Sequence, residues 1–247
     1  MEPTVASNTF SIRFVLSVLV VSAVVFVVIA RLAAPSASAP EAAALSPVQI
    51  HALAQQATLR VAASDCGRVV RGSGVIIDGR LVTNAHVVNG TNEVKADQPI
   101  DPVVVPVIVT DPGSDLAAAE QPAGVSLILG SDAAVQANVI AGRTVTLAGH
   151  ADGGAIEIQP GVVTARVAGG AYGYTVDVLL IDAQTRGGYS GGPVLDDAGN
   201  VVAILSGFDR ATGLSLAIPA DVVADFLEQP MQRDDDDAAL TSSCGVG

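Results

Sequence analysis

The chain has 247 residues, 50% of them hydrophobic, 3% aromatic and none tryptophan. With 12 basic residues against 25 acidic ones and a formal charge of −13, it lacks the clustered cations that phosphate binding needs, which excludes a nucleic-acid partner. The length allows one large domain with an appendage, and a core so poor in aromatic residues must be packed from Val, Ala, Leu and Ile, which suit pleated strands.

Residues 1–13 form a short tail ahead of FVLSVLVVSAVVFVVIA, an uncharged run from Phe14 to Ala30 bounded by Arg13 and Arg31. As a helix this run spans about 25 Å, a little under the ~30 Å of a hydrocarbon core. Snorkelling arginines and the following Leu32-Ala33-Ala34 extend it, so a transmembrane anchor over 14–34 is expected, with the lipid bilayer as its partner. A cleaved signal peptide is the alternative. Its apolar region usually runs about 7–15 residues and ends in a small-x-small site. Ala37-Ser38-Ala39 would serve, but Pro40 would follow the cut and hinder it. Either reading exports the remainder, as a single-pass membrane protein with its domain outside the cytoplasm or as a secreted one. Charge asymmetry across the run is too weak to fix orientation.

Residues 35–58 read as a tether, opening on the Pro-, Ser- and Ala-rich stretch Pro35 to Ala44. A short helix is predicted over 46–58, where His51 reads as a surface or packing residue. From 59 to 229 short apolar runs alternate with turn residues. They are Gly74–Ile77, Val103–Val109, Thr144–Ala148, Gly161–Val167, Val176–Ile181, Val194–Leu195 and Val201–Leu205. Asp78-Gly79 and Ala198-Gly199-Asn200 predict tight turns between neighbouring strands. Such a pattern predicts an all-β antiparallel barrel or sandwich. A C-terminal helix should start near Pro219-Ala220-Asp221, with Val222, Val223, Phe226 and Leu227 at helical spacing. The tail, 230–247, carries Asp234–Asp237, a charge run that reads as solvated.

Three fragments carry chemistry: Thr83-Asn84-Ala85-His86, Ser114-Asp115-Leu116-Ala117 and Gly187-Gly188-Tyr189-Ser190-Gly191-Gly192-Pro193. Acyl transfer needs a nucleophile, a base, a group that orients the base, and donors for the oxyanion. Ser190 is the candidate nucleophile and His86, which titrates near neutral pH, the candidate base. Asp115 is the candidate orienter, with Asp111 its closest rival. His150 falls in a loop and is not expected to act directly. The backbone N–H of Gly188 beside that of Ser190 would form an oxyanion pocket free of any side chain.

TNAHVV, SDLAAA and GYSGGPV resemble the His, Asp and Ser motifs of trypsin-like serine proteases, most nearly those of the bacterial HtrA (Deg) branch. The resemblance extends to Gly72-Ser73-Gly74-Val75-Ile76 and to Leu216-Ala217-Ile218-Pro219, and covers roughly residues 59–229. With the anchor, it also resembles the membrane-anchored actinobacterial proteases of the MarP type, although those carry several spans and this chain one. The resemblance implies a chymotrypsin-like double six-stranded antiparallel β-barrel with a short C-terminal helix, preceded by one N-terminal transmembrane helix. It further implies a serine endopeptidase acting on polypeptide substrates through an acyl-enzyme, without cofactor or metal. A latent or weakly active protease-fold sensor is the alternative. Gln184, six residues before Ser190, resembles the base of the primary specificity pocket. Ser206-Gly207-Phe208 resembles the strand that pairs with substrate and lines that pocket, Phe208 favouring small to medium apolar residues. Tyr189 stands where digestive proteases have Asp, which implies no activation by an inserted N-terminal ammonium. Only the 18 residues from 230 to 247 follow the domain, so no PDZ domain is expected. The oligomeric state is open, since no trimerising segment of the HtrA kind is recognisable.

Cys66 and Cys244 stand 178 positions apart. An even pair in an exported protein predicts a disulfide tying the tail to the start of the domain. By chain entropy it would contribute about 5 kcal/mol. No Cys/His spacing suggests a metal site.

Overall fold

The computed structural model describes residues 44–65, 67–89, 91–97, 102–125 and 141–229. The expected anchor at 14–34, the first part of the tether, Cys66, Cys244 and the acidic tail lie outside the described residues. Among the described residues no helix is long and apolar enough to cross a membrane.

Twelve strands form two closed antiparallel barrels. The first holds β1 (Thr58–Asp65), β2 (Arg68–Ile77), β3 (Arg80–Thr83), β4 (Glu93–Asp97), β5 (Pro102–Asp111) and β6 (Leu116–Glu120), ordered β1-β2-β3-β6-β5-β4. The second holds β7 (Thr144–Gly149), β8 (Glu157–Ala168), β9 (Asp177–Asp182), β10 (Pro193–Leu195), β11 (Val201–Phe208) and β12 (Ser215–Pro219), ordered β10-β11-β12-β9-β8-β7. Closure leaves no sheet edge exposed to other chains. The Asp78-Gly79 turn is a two-residue hairpin joining Ile77 to Arg80, with φ of 48° and 71° at its two residues, the left-handed values such hairpins require.

Each barrel has its own aliphatic interior. Leu59, Val61, Leu81, Val94 and Ala117 fill the first, and Val145, Leu147, Leu179, Ile181 and Leu205 the second. A third cluster joins them: Val75, Val82 and Leu116 from the first barrel meet Leu195, Ile204 and Ile218 from the second. Phe226 belongs to this cluster and is only 2% exposed. Burial of a side chain that size stabilises by roughly 2–3 kcal/mol.

Three α-helices complete the described residues. Helix α1 (Pro47–Ala57) begins at a capping box in which the Ser46 and Gln49 side chains each accept from the other's backbone N–H. It falls within the stretch read as tether, yet its Ala54 and Ala57 are fully buried, so from Pro47 onward this segment is packed onto the domain. His51 faces solvent, as expected. Helix α2 (Ala85–Val88) is a single turn carrying His86. Helix α3 (Ala220–Leu227) follows the Pro219 signal. Arg80 from the first barrel donates to the Leu227 carbonyl at its C-terminus, and Arg166 from β8 bonds to Asp221 in its first turn.

Candidate active site

His86 sits where β3 has just ended and α2 begins. Its backbone N–H donates to Asp115 Oδ1 at 3.0 Å, and its Nδ1 lies 2.8 Å from Asp115 Oδ2. A carboxylate accepts only, so Nδ1 carries a proton, and in the neutral ring the lone pair then lies on Nε2. Asp115 is held in a left-handed conformation, φ 55°, between β5 and β6. Two donors converge on its carbonyl, the Ala85 N–H at 3.2 Å and the Asn84 side-chain amide at 2.8 Å. The rival carboxylate, Asp111, accepts from the Gly113 N–H and the Ser114 hydroxyl instead, inside its own turn.

Ser190 comes from the second barrel, just ahead of β10. Positive φ at Gly188 (95°) and Gly191 (87°) folds the loop around it. A Cβ on Gly191 would collide with the Ser73 carbonyl and one on Gly188 with the His150 carbonyl. Among the described residues, no backbone partner takes the N–H of Gly188 or of Ser190, so two amide donors stand unpaired beside the hydroxyl. The Ser190 hydroxyl itself donates to the Ser206 carbonyl at 3.2 Å and not to His86.

Ser206 owes its position to a bulge. Strand β11 pairs Leu205 with Ala217 and Gly207 with Leu216, leaving Ser206 as the extra residue. Bulges re-aim side chains, and here the Ser206 hydroxyl reaches Asp115 Oδ2 at 2.5 Å while its carbonyl faces Ser190. The sequence placed Ser206 only in the substrate-pairing strand, and its bond to Asp115 has no local signal in the chain.

A cavity of about 290 Å³ opens beside Ser190, lined by Thr185, Arg186 and Tyr189 on one side and by Gly207, Phe208 and Arg210 on the other. Phe208 is among its lining residues, half-exposed, with the Arg210 guanidinium 5.8 Å from the ring centroid. Gln184 does not line it. That side chain is exposed, and the backbone carbonyl of Gln184 accepts from the Gln159 side-chain amide at 2.7 Å. Thr185 and Arg186 take the place assigned to it, because the segment after β9 turns Gln184 outward. Tyr189 is 3% exposed, and burial, aided by the neighbouring Glu157, pushes its phenol up to about 12.

His150 is a brace between barrels. Its N–H donates to the Ser73 hydroxyl at 2.8 Å, and its ring nitrogens face the carbonyls of Gly154 and Thr58. Burial lowers its pKa below the ordinary histidine value. Among the described residues no cluster of His, Cys, Asp and Glu could hold a metal ion.

Two closed six-stranded barrels, with a His–Asp pair on one and a glycine-framed serine on the other, define the architecture of chymotrypsin-like proteins. Residues 72–204 match the family described as "Trypsin-like peptidase domain", and the chain belongs to that family. It is similar to "Serine protease Rv3671c" of Mycobacterium tuberculosis, 31% identical over 195 residues that cover 74% of this chain and 48% of the relative. It is also similar to "Protease Do-like 1, chloroplastic" of Arabidopsis thaliana, 29% identical over 64% of this chain and 38% of that protein. The chain thus spans about half the length, or less, of these curated relatives. Among solved structures, "HtrA-type protease AlgW with tripeptide" shares the fold with a TM-score of 0.66 at 22% identity, covering 74% of this chain and 63% of the other. The active form of Rv3671c protease from M. tuberculosis aligns with a TM-score of 0.63 at 24% identity, covering 81% of this chain and 96% of the other.

Proposed function

We propose that this chain is an exported serine endopeptidase, tethered by residues 14–34 and clamped by a Cys66–Cys244 disulfide, that cleaves polypeptides through an acyl-enzyme. Its protease domain comprises residues 59–229 with helix α1 packed against it. The observation that carries the reading is the Nδ1–carboxylate contact of 2.8 Å between His86 and Asp115, which leaves Nε2 free to act as base. Ser190 Oγ attacks the scissile carbonyl after turning from Ser206 to His86, and His86 takes its proton. Asp115 holds the tautomer and stabilises the imidazolium that forms. The tetrahedral oxyanion is met by the Gly188 and Ser190 amides, which have no backbone partner among the described residues. His86 then protonates the leaving amine, and water repeats the sequence to release the acyl group. The test is labelling by a fluorophosphonate together with cleavage of a peptide library. Both should be present in the wild type and absent in Ser190→Ala, whose turnover should fall on the order of 10⁶-fold.

A second reading, a latent enzyme, is favoured by the Ser190–Ser206 hydrogen bond, which holds the hydroxyl away from its base. Labelling that rises on addition of peptide would support latency, and equal labelling with and without peptide would support a constitutive enzyme.

A further inference from the structure

We propose that Tyr174 is a positioning residue for the His86–Asp115 pair, acting through the Ser206 hydroxyl. The proposal rests on the reading of His86, Asp115 and Ser190 as a catalytic set.

The Tyr174 hydroxyl lies 2.8 Å from Ser206 Oγ, which in turn lies 2.5 Å from Asp115 Oδ2. A serine hydroxyl has one proton. The carboxylate has none to give, so that proton points to Asp115. Tyr174 therefore donates and Ser206 accepts, and every proton in the chain Tyr174 to Ser206 to Asp115 runs toward the carboxylate. Such chains polarise each member, strengthening the terminal bond. Burial raises the Tyr174 phenol above its ordinary value, which keeps the donor protonated.

The backbone reinforces this arrangement. Tyr174 precedes β9, and the next residue, Thr175, donates its N–H to the Gly113 carbonyl at 2.8 Å. The segment thus grips the loop bearing Asp115 by its backbone and the bulged residue of β11 by a side chain. The other carboxylate of that loop, Asp111, is already satisfied by the Gly113 N–H at 2.8 Å and the Ser114 hydroxyl at 2.7 Å. Asp115 is the carboxylate hydrogen-bonded to the His86 ring.

The test compares wild type, Tyr174→Phe, Ser206→Ala and the double variant of the full chain. Tyr174→Phe keeps the ring that packs against the inter-barrel core. Without the phenol, Ser206 donates less firmly and Asp115 becomes the more basic partner. The acid limb of kcat/KM should then rise by about 0.3 pH, and its plateau should fall about two- to tenfold with KM nearly unchanged. Ser206→Ala should move the limb the same way, and the double variant should move it no further than Ser206→Ala alone. An unmoved limb in Tyr174→Phe, shifts that add in the double variant, or a change confined to KM would each overturn the proposal. The titration of the His86 ring, read by NMR on isotope-labelled chain, needs no turnover. If the wild type neither labels nor cleaves yet that midpoint shifts as expected, the catalytic reading fails while the Tyr174 connection stands.

Discussion

Ser73, in β2 of the first barrel, donates its hydroxyl to the carbonyl of Gly188 in the Ser190 loop of the second at 2.8 Å. The same residue donates its N–H to the Ser190 carbonyl at 2.7 Å and accepts the His150 N–H. One side chain, fully buried, therefore fixes the loop that presents Ser190 and its two amides. Ser73→Ala would leave the Gly188 carbonyl and the His150 N–H without their partner, at a cost of about 1–3 kcal/mol for each buried group left unsatisfied. Denaturant melts should show the destabilisation. Phosphonate labelling of the protein that remains folded should slow further, because the loop loses its anchor.

Asn84 offers a second, separable test. Its side chain is fully buried, its amide donates to the Asp115 carbonyl, and among the described residues its Oδ1 has no partner. Asn84→Asp places a carboxylate beside that carbonyl and removes the donor. Left-handed Asp115 should relax, with kcat/KM falling at least tenfold and the loss concentrated in kcat. Asn84→Ala should cost less, since it removes the donor together with the unpaired acceptor.

Stability should depend on His150 as the solution is acidified. Burial lowers its folded-state pKa, so the unfolded chain holds the proton more firmly. Below about pH 6.5 unfolding takes up a proton, and acid therefore favours the unfolded state until the pH passes below the folded value. Melting temperatures measured from pH 7 to pH 5 should fall more steeply for wild type than for His150→Asn. Parallel curves would contradict this.

Substrate preference should respond to the cavity as observed and not to the residue counted back from the serine. Gln184→Glu, on an exposed side chain, should leave the cleavage profile of a peptide library unchanged. Phe208→Ala, in the lining of the 290 Å³ cavity, should admit larger side chains and broaden that profile.

Much of the site is legible in the chain because the three motifs are local. Each needs only a few neighbours to set its turn, and the glycines around Ser190 announce the left-handed positions that the structure displays. Strands rich in Val and Ile could be read in the same way. Strand β6, Leu-Ala-Ala-Ala-Glu, could not, since alanine has little intrinsic preference for a strand and is held there by burial on both faces. Helix α1 was legible as a helix, but its packing onto the domain was not, because that contact lies in two small alanines whose burial depends on a distant surface. Gln184 is exposed and absent from the cavity lining, which a count of six residues back from the serine does not reveal. The links through Ser73 and Tyr174 join residues separated by 115 and 32 positions, and no local pattern encodes them.

The extra residue at Ser206 works like a frameshift in the alternation of β11. Upstream of it the strand keeps one phase against β12, and downstream it keeps the other. Removing that single residue would conserve every remaining letter and nearly every hydrogen bond of the ladder. It would nevertheless strip Asp115 and Ser190 of the neighbour they share. Two residues carried by different barrels thus meet through a single insertion in a strand that belongs to only one of them.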